Sequence, residues 1–398
     1  MDSALHVVMF TDQHPHTLGG MQTSVELQRK FLSRAGHRST VVSPALRGSE
    51  AAPDPDIVPM PTLPLGPGEY GMAIPSKRAI ATVIDELRRR GNIDVIHVQA
   101  DFWGAAVGYA VAAALGIPVV HTMHNHVEAG LRATMPLPGL FQRAFSLMQR
   151  RVLHTGGPTP ADAWAYLRGF ASRAAVVTAP STHFAELLQD RGVCWKAEVI
   201  PTGLDDDVAR ELLAEPRERA PRDRPVLTWI GRFSAEKRLI PFLQAVAASG
   251  ITAQVDIFGD GAERHRAQRL AADITASTVT FRGRVPYRRM LTEVRRSDAL
   301  VQTSQGFETQ GMTVYEAAAL GTPTVLSDHR IAADLPAELL WLTPDDTVAG
   351  LARALSRATA DLRDGQRAGT RSVDPERFLQ SRQTELMVAA YRRAMSGR

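Results

Sequence analysis

Thiols are nearly absent from this 398-residue chain, with Cys194 the single cysteine. That excludes an internal disulfide framework and a thiolate cluster for zinc, and makes a reducing compartment the default expectation. Charge of one sign is not in large excess either. The formal net charge of +4 suits an anionic ligand or surface and does not call for nucleic acid. Residues 1–11 have no basic region and carry an acidic residue at position 2, so no secretory signal is read and a cytoplasmic location is expected. Residues 102–120 lack charge for 19 positions, long enough to cross a bilayer. Gly116-Ile117-Pro118 breaks that run into an Ala-rich helix and a following strand, which argues against a membrane span. Short repeats and low-complexity tracts are missing as well.

The length exceeds the roughly 250 to 300 residues at which one hydrophobic core stops growing, so two domains are expected. Short apolar runs alternate with segments of helical period, which predicts α/β architecture with parallel strands covered by helices on both faces. Predicted strands of the first domain are Leu5 to Thr11, Ser39 to Ser43, Asp94 to Val98, Pro118 to Thr122, Ala175 to Thr178 and Glu198 to Ile200. A polar, proline-bearing stretch, Arg210 to Arg224, reads as the connection. The second series is Val226 to Ile230, Gln254 to Phe258, Val279 to Phe281, Ala299 to Thr303, Thr324 to Ser327 and Leu340 to Leu342. Helices fall between them, and a last helix, Glu376 to Met395, is expected to pack back on the first domain. The expected division is 1–210 with 375–398, and 211–374. Two doubly wound domains place the carboxyl ends of two sheets opposite each other, so the active site is expected in the cleft between them.

The densest chemical signal lies between Gln302 and Ser327. Glu308 follows a predicted strand, and Glu316 lies eight positions later inside a helix headed by a glycine-bearing loop. A helix amino terminus favours a negatively charged ligand. The two glutamates suit hydrogen bonds from sugar hydroxyls, although spacing alone leaves a pair of solvated glutamates equally open. The second signal is GRFSAEKR, Gly231 to Arg238, directly after an apolar strand. Arg232 and Lys237 share this strand-to-helix loop, where two cations suit a diphosphate.

Taken in order, the marks are Gly19-Gly20, Thr122 to His124, IPTGLD at Ile200 to Asp205, GRFSAEK, FGDGAE at Phe258 to Glu263, and the glutamate pair followed by EAAALGTPTV. Together they resemble glycosyltransferase family 4 of the GT-B fold over about residues 5 to 330. The resemblance implies two Rossmann-like domains facing across a cleft and a retaining transferase acting on a nucleotide diphosphate sugar, GDP- or UDP-linked. Arg232 and Lys237 would then bind the diphosphate, helped by backbone N–H groups of Gly20, beside Gly19, and of Thr309, Gln310, Gly311 and Met312. Glu316 would hold the ribose, Glu308 the transferred sugar, and His124 the far hydroxyls of that sugar. Main-chain atoms near Arg284 would meet the base. The family retains anomeric configuration by front-face attack, so neither a protein nucleophile nor a metal or other cofactor is required. Many relatives carry Gly-Leu-Pro where this chain has Gln310-Gly311-Met312, so Gln310 is expected to meet the sugar by side chain as well as backbone, and donor identity does not carry over.

Other features are set aside or left open. Asp205-Asp206-Asp207 invites a Mg²⁺ reading that the two cations make unnecessary. Gly259-Asp260-Gly261 is not a full dinucleotide fingerprint and reads as a turn at the sheet edge. His121, His124 and His126 alternate near a strand end, which would place them on one face as metal ligands, yet no acid or cysteine at ligand spacing completes a site. His14 and His16 flank Pro15 beside the glycine loop and are candidates for the acceptor side. The segment Leu131 to Leu153 mixes apolar residues with Arg132, Arg143, Arg150 and Arg151. It reads either as a helix lying in an anionic membrane interface, at the inner face, or as a long cleft-side helix with a basic edge. The expected reaction moves a mannose- or glucose-type hexose to a hydroxyl of a glycolipid or small glycoside. Rivals on the same fold are a disaccharide phosphorylase and a non-catalytic nucleotide-sugar binder.

Overall fold

A computed structural model describes residues 3–17, 19–46, 54–63, 71–135, 137–154, 156, 159–160, 162–215, 224–365 and 374–397. The start of the chain at 1–2 and positions 216–223 of the polar connection lie outside the described residues. Contacts divide the chain into two compact units, 1–202 with 383–398, and 203–382.

The first unit contains β1 (His6–Thr11), α1 (Gly20–Arg34), β2 (Arg38–Pro44), β3 (Ile57–Met60), β4 (Thr62–Leu63), β5 (Met72–Ala73), α2 (Lys77–Arg89), β6 (Val95–Gln99) and α3 (Trp103–Leu115). After these come β7 (Val119–Thr122), α4 (Val127–Thr134), α5 (Pro138–Leu153), α6 (Ala163–Ala171), β8 (Val176–Ala179), α7 (Thr182–Asp190) and β9 (Glu198–Val199). Seven strands form a parallel sheet ordered β3-β2-β1-β6-β7-β8-β9, while β4 and β5 make a small antiparallel pair. β1 is buried along its whole length because its alternate residues serve two cores. Val8 and Phe10 join the cluster under α3 and α6, whereas Val7 and Met9 join the one under α1 and the carboxy-terminal helix.

The second unit holds α8 (Asp206–Ala214), β10 (Val226–Ile230), α9 (Leu239–Ser249), β11 (Gln254–Phe258), α10 (Arg264–Ala272), β12 (Thr278–Gly283), α11 (Tyr287–Arg296) and β13 (Ala299–Gln302). It continues with α12 (Met312–Ala319), β14 (Thr324–Leu326), β15 (Leu340–Leu342) and α13 (Val348–Arg363). Its parallel sheet runs β12-β11-β10-β13-β14-β15. Here too the strands divide their side chains between two cores: Leu227, Val301 and Val325 face α9 and α13, and Leu300 and Leu326 face α12.

Three boundaries differ from expectation, each for a packing reason. The first crossing falls at 202/203 and not 210/211, because Ala209 and Leu212 of α8 pack with Leu291, Leu300 and Leu326 of the second unit. The return falls at 382/383 and not 374/375, because Phe378 and Leu379 belong to that same cluster. The expected single helix Glu376 to Met395 is two pieces, a 3-10 turn at Pro375–Phe378 and then α14 (Gln380–Ser396). Leu379 between them is extended and pairs with Leu204 in an isolated parallel bridge. Within the first unit α14 is fastened by the Tyr391 hydroxyl, 2.7 Å from Nδ1 of the fully buried His97 on β6.

Candidate active site

Each sheet has one place where strand order reverses, and loops leaving adjacent strands there diverge to leave a crevice at their carboxyl ends. In the second unit the reversal lies between β10 and β13. The β10 exit loop carries GRFSAEKR and the β13 exit loop carries Glu308, so topology brings the two strongest sequence signals to one crevice. The Lys237 ammonium donates to Glu308 Oε1, with both side chains mostly buried. It also lies 5.9 Å from the centroid of the Phe307 ring. Gln302, the last residue of β13, points its amide nitrogen at the same Glu308 oxygen at 3.4 Å, and its own buried Oε1 accepts no hydrogen bond. The lysine backbone is fixed from below. Trp229 Nε1 donates to Thr303 Oγ1 at 2.8 Å, and that hydroxyl donates to the Lys237 carbonyl at 2.7 Å.

The β13 loop leads into α12 through Gly311, whose φ of +80° is the left-handed conformation glycine adopts without a Cβ penalty. No side chain caps α12, so the N–H groups of its first turn remain directed at the loop. Asp328 steadies that loop by accepting from Gly306 N at 2.8 Å while held by Arg330. Glu316, on α12, is 4% exposed. Its Oε1 accepts from the Tyr287 hydroxyl at 2.8 Å, and its buried Oε2 has no hydrogen-bond partner. Burial pushes the Glu316 carboxyl up to about 7, and the Tyr287 hydrogen bond pulls in the other direction. A buried carboxylate oxygen with nothing to accept is costly unless something donates to it.

The remaining predicted donor residues are more scattered. Arg232 shares the Lys237 loop, but its guanidinium is exposed and turned to Glu236 at 3.2 Å. Arg284 is exposed just beyond β12. Gln310 is buried at 4% exposure, as is Glu316. Thr309 is half-buried, and Met312 opens α12. The FGDGAE turn follows an interior strand, not an edge strand, and it braces the cation loop. Phe233 N donates to Asp260 O at 2.9 Å, and Glu263 N to Phe233 O at 3.0 Å.

In the first unit the reversal lies between β1 and β6. Two acids that sequence reasoning missed sit at these exits. Asp12 is fully buried and accepts from the backbone N–H groups of Asp101, Phe102 and Gly104, capping the start of α3. Burial pushes its carboxyl up to about 7, against the pull of those N–H groups. Asp101, with no exposure, accepts from His124 N at 3.3 Å, Asn125 N at 3.0 Å and Asn125 Nδ2 at 2.7 Å, fixing the β7 exit. The His124 ring stands 3.0 Å from Gln99 Oε1, and burial lowers it to about 4, so it is neutral at physiological pH.

The three alternating histidines do not share a face. His121 packs between the Tyr109 hydroxyl and the Ala100 carbonyl, whereas His126 caps α4 by accepting from Ala129 N. His14 is buried and lowered to about 4 chiefly by burial, while His16 is exposed beside it. Gly19 and Gly20 are exposed at the start of α1, which no side chain caps. Asp205 caps α8 by accepting from Asp207 N, and Asp206 accepts from Ser381 N at the start of α14, so two of the three consecutive acids serve backbone N–H groups. A cavity of about 840 Å³ opens among Arg168, Gln189, Trp195 and Lys196, where β8 begins. It lies at the amino end of that strand, away from the exits that carry the chemistry.

Two family models match the chain and meet between residues 208 and 213. The model for Glycosyltransferase Family 4 matches residues 18–208, and that for Glycosyl transferases group 1 matches 213–371. An alpha-monoglucosyldiacylglycerol synthase of Streptococcus pneumoniae is 24% identical over 81% of this chain and 70% of its own length. A phosphatidyl-myo-inositol mannosyltransferase of Mycolicibacterium smegmatis is 26% identical over 88% and 83%. A 2-deoxystreptamine N-acetyl-D-glucosaminyltransferase of Streptomyces fradiae is 29% identical over 71% of this chain and 66% of that protein. Among solved structures, Anabaena Alr3699/HepE in complex with UDP superposes with a TM-score of 0.68 at 15% identity, covering 97% of this chain and 99% of that one. With two matched family models, two parallel Rossmann-like sheets and these relatives, the chain is a glycosyltransferase family 4-like enzyme of the GT-B fold.

Proposed function

We propose that the protein transfers a mannose- or glucose-type hexose from a GDP- or UDP-linked donor to a hydroxyl acceptor, with retention of anomeric configuration and no metal. The observation that carries the reading is the meeting of Lys237 and Glu308 in the crevice between β10 and β13, with the unpartnered Glu316 Oε2 in the helix that follows. A diphosphate takes the cation, a ribose hydroxyl satisfies Glu316, and Glu308, released from the lysine, accepts from the transferred sugar. Arg232, Gly20, the N–H groups of 309–312 and main chain near Arg284 complete the donor contacts, and neutral His124 meets the sugar's far hydroxyls.

In the reaction the bond from the anomeric carbon to the leaving phosphate oxygen breaks as the acceptor oxygen bonds to that carbon on the same face. The acceptor proton passes to the departing phosphate. Negative charge grows on the diphosphate, and a cation already in place stabilises that change more than it stabilises the ground state. Two of the relatives are named for placing sugar on a lipid and one on an aminocyclitol, which supports a glycolipid or small glycoside as acceptor. Structures of Alr3699/HepE with UDP and with UDP-glucose support a nucleotide-linked donor.

Incubating the protein with each donor and acceptor class in chelator, then reading the anomeric coupling of the product by NMR, tests this. The expected product keeps the donor's anomeric configuration and forms in full yield without metal. An inverted product, or dependence on inorganic phosphate in place of a nucleotide, contradicts it.

A further inference from the structure

β13 ends on a residue that packing alone does not explain. Strand alternation puts Gln302 on the same face of the sheet as Leu300, and its register partner on β14 is Leu326; both leucines belong to the core under α12. Gln302 is 7% exposed, and Leu or Met would fill such a position without a polar atom. Its Oε1 is buried with no hydrogen-bond partner, an arrangement that costs stability. Its Nε2 points at Glu308 Oε1 at 3.4 Å. Turning the amide over would set its oxygen against a carboxylate, so the orphaned carbonyl follows from aiming an N–H donor at Glu308.

The same Glu308 oxygen accepts from the Lys237 ammonium, so it carries two donors. The lysine main chain is pinned, because its carbonyl accepts from Thr303 Oγ1 at 2.7 Å and that hydroxyl accepts from Trp229 Nε1 at 2.8 Å. A change of partner by the ammonium therefore takes place along its flexible four-carbon stem while the backbone stays. Two adjacent residues thus hold the two members of the ion pair separately: Thr303 the backbone of the lysine, Gln302 the carboxylate of the glutamate. The Glu308 side chain is 14% exposed, so withdrawing the ammonium from it is costly unless a donor remains. The Gln302 amide is a donor that remains.

We propose that Gln302 is a positioning residue whose amide holds Glu308 while the Lys237 ammonium crosses from that carboxylate to a diphosphate. The exchange makes the cation available to the diphosphate and keeps Glu308 oriented for the hydroxyl donors of a sugar. Gln302 acts through Glu308 and needs no ligand contact of its own. The proposal deepens the transfer reading and rests on it for the diphosphate that draws the lysine away.

The test is a double-mutant cycle, read by calorimetric titration of UDP and GDP into the full chain, with Gln302→Met, Glu308→Gln and the two combined. Gln302→Met should weaken binding of the nucleotide by about fivefold or more beside Glu308, and should leave it unchanged in the Glu308→Gln background, where no carboxylate remains to be held. Glu308→Gln alone should bind at least as tightly as wild type, because its lysine no longer leaves a charged partner; weaker binding contradicts the exchange. Thermal midpoints of Gln302→Met and Gln302→Leu should match or exceed that of wild type, since the orphaned carbonyl is gone. A fall of more than about 5 °C in both would give the amide a packing role and overturn the proposal. Equal weakening by Gln302→Met in both backgrounds, or no weakening in either, overturns it as well and leaves the transfer reading standing. Failure of the wild type to bind either nucleotide sinks the transfer reading and the proposal together, so the two failures are distinguishable.

Discussion

Glu316 combines burial, one donor and one orphaned oxygen, and each has a measurable consequence. Its carboxyl titrates at about 7, well above its ordinary value of 4.5, because burial penalises the charge. Ionised, it accepts from a hydroxyl donor, so nucleoside diphosphate affinity should rise with pH through about 7. The effect on folding has the opposite sign: the stability associated with the retained proton is full at low pH and is lost as pH climbs through that same value. Tyr287 is the group that holds the carboxyl down. Around it, α12, β13 and β14 bring no other charged side chain, Glu376 and Arg377 of the 3-10 turn packed on α12 are exposed, and Asp205 acts on Tyr287 itself. Tyr287→Phe should therefore move the affinity rise to higher pH. At about pH 6.5 the variant should bind roughly five- to tenfold more weakly than wild type, converging with it near about pH 9. Equal weakening at every pH in a calorimetric titration would show that Tyr287 matters only as packing. Glu316 was singled out by the family resemblance, its eight-residue spacing to Glu308 alone leaving a solvated pair equally open, but Tyr287 was not, since nothing in local sequence records that the start of α11 faces α12.

At the scale of elements, the cation loop depends on a neighbour. Gly231 N donates to Phe258 O at 3.1 Å, and the two strand exits lie so close that a Cβ at Gly259 would sit 1.9 Å from the Gly231 carbonyl oxygen. Gly259 also has φ of +126°. Gly259→Ala should destabilise the fold by about 2 kcal/mol or more, read as a lowered chemical-denaturation midpoint with unchanged slope. A midpoint equal to wild type would mean that the loops have room to part. The motif FGDGAE was visible as a turn, but its bracing role was not, because it arises from parallel pairing of β10 with β11. Most strands of both sheets could be read from apolar runs. β3 was missed because Pro59 interrupts its run, a substitution tolerated on an edge strand with one pairing partner. The long carboxy-terminal helix was over-read through Leu379 because helical periodicity continues across a residue that tertiary packing draws into a bridge with Leu204.

For the molecule as a whole, two doubly wound sheets each set their chemistry at a reversal of strand order, and that topology explains why distant motifs matter together. The second unit joins Lys237 to Glu308 at one crevice and carries Glu316 on the helix that follows. The first holds a neutral His124 on a loop fixed by Asp101 and Gln99, with Asp12 ordering the neighbouring helix start. Those two aspartates were illegible in sequence because each acts on backbone N–H groups supplied by another loop, a relation that no spacing rule encodes. The most direct measurement is calorimetric titration of UDP and GDP into wild type, Lys237→Ala and Glu316→Ala, with thermal midpoints recorded alongside. Wild type should bind at least one of the two nucleotides. Each variant should bind it at least about tenfold more weakly with its fold intact, the loss of a charge-assisted contact being worth about 1.5 to 3 kcal/mol. Folded variants with unaltered affinity for the bound nucleotide would contradict the assignment of the crevice between β10 and β13 as the donor site.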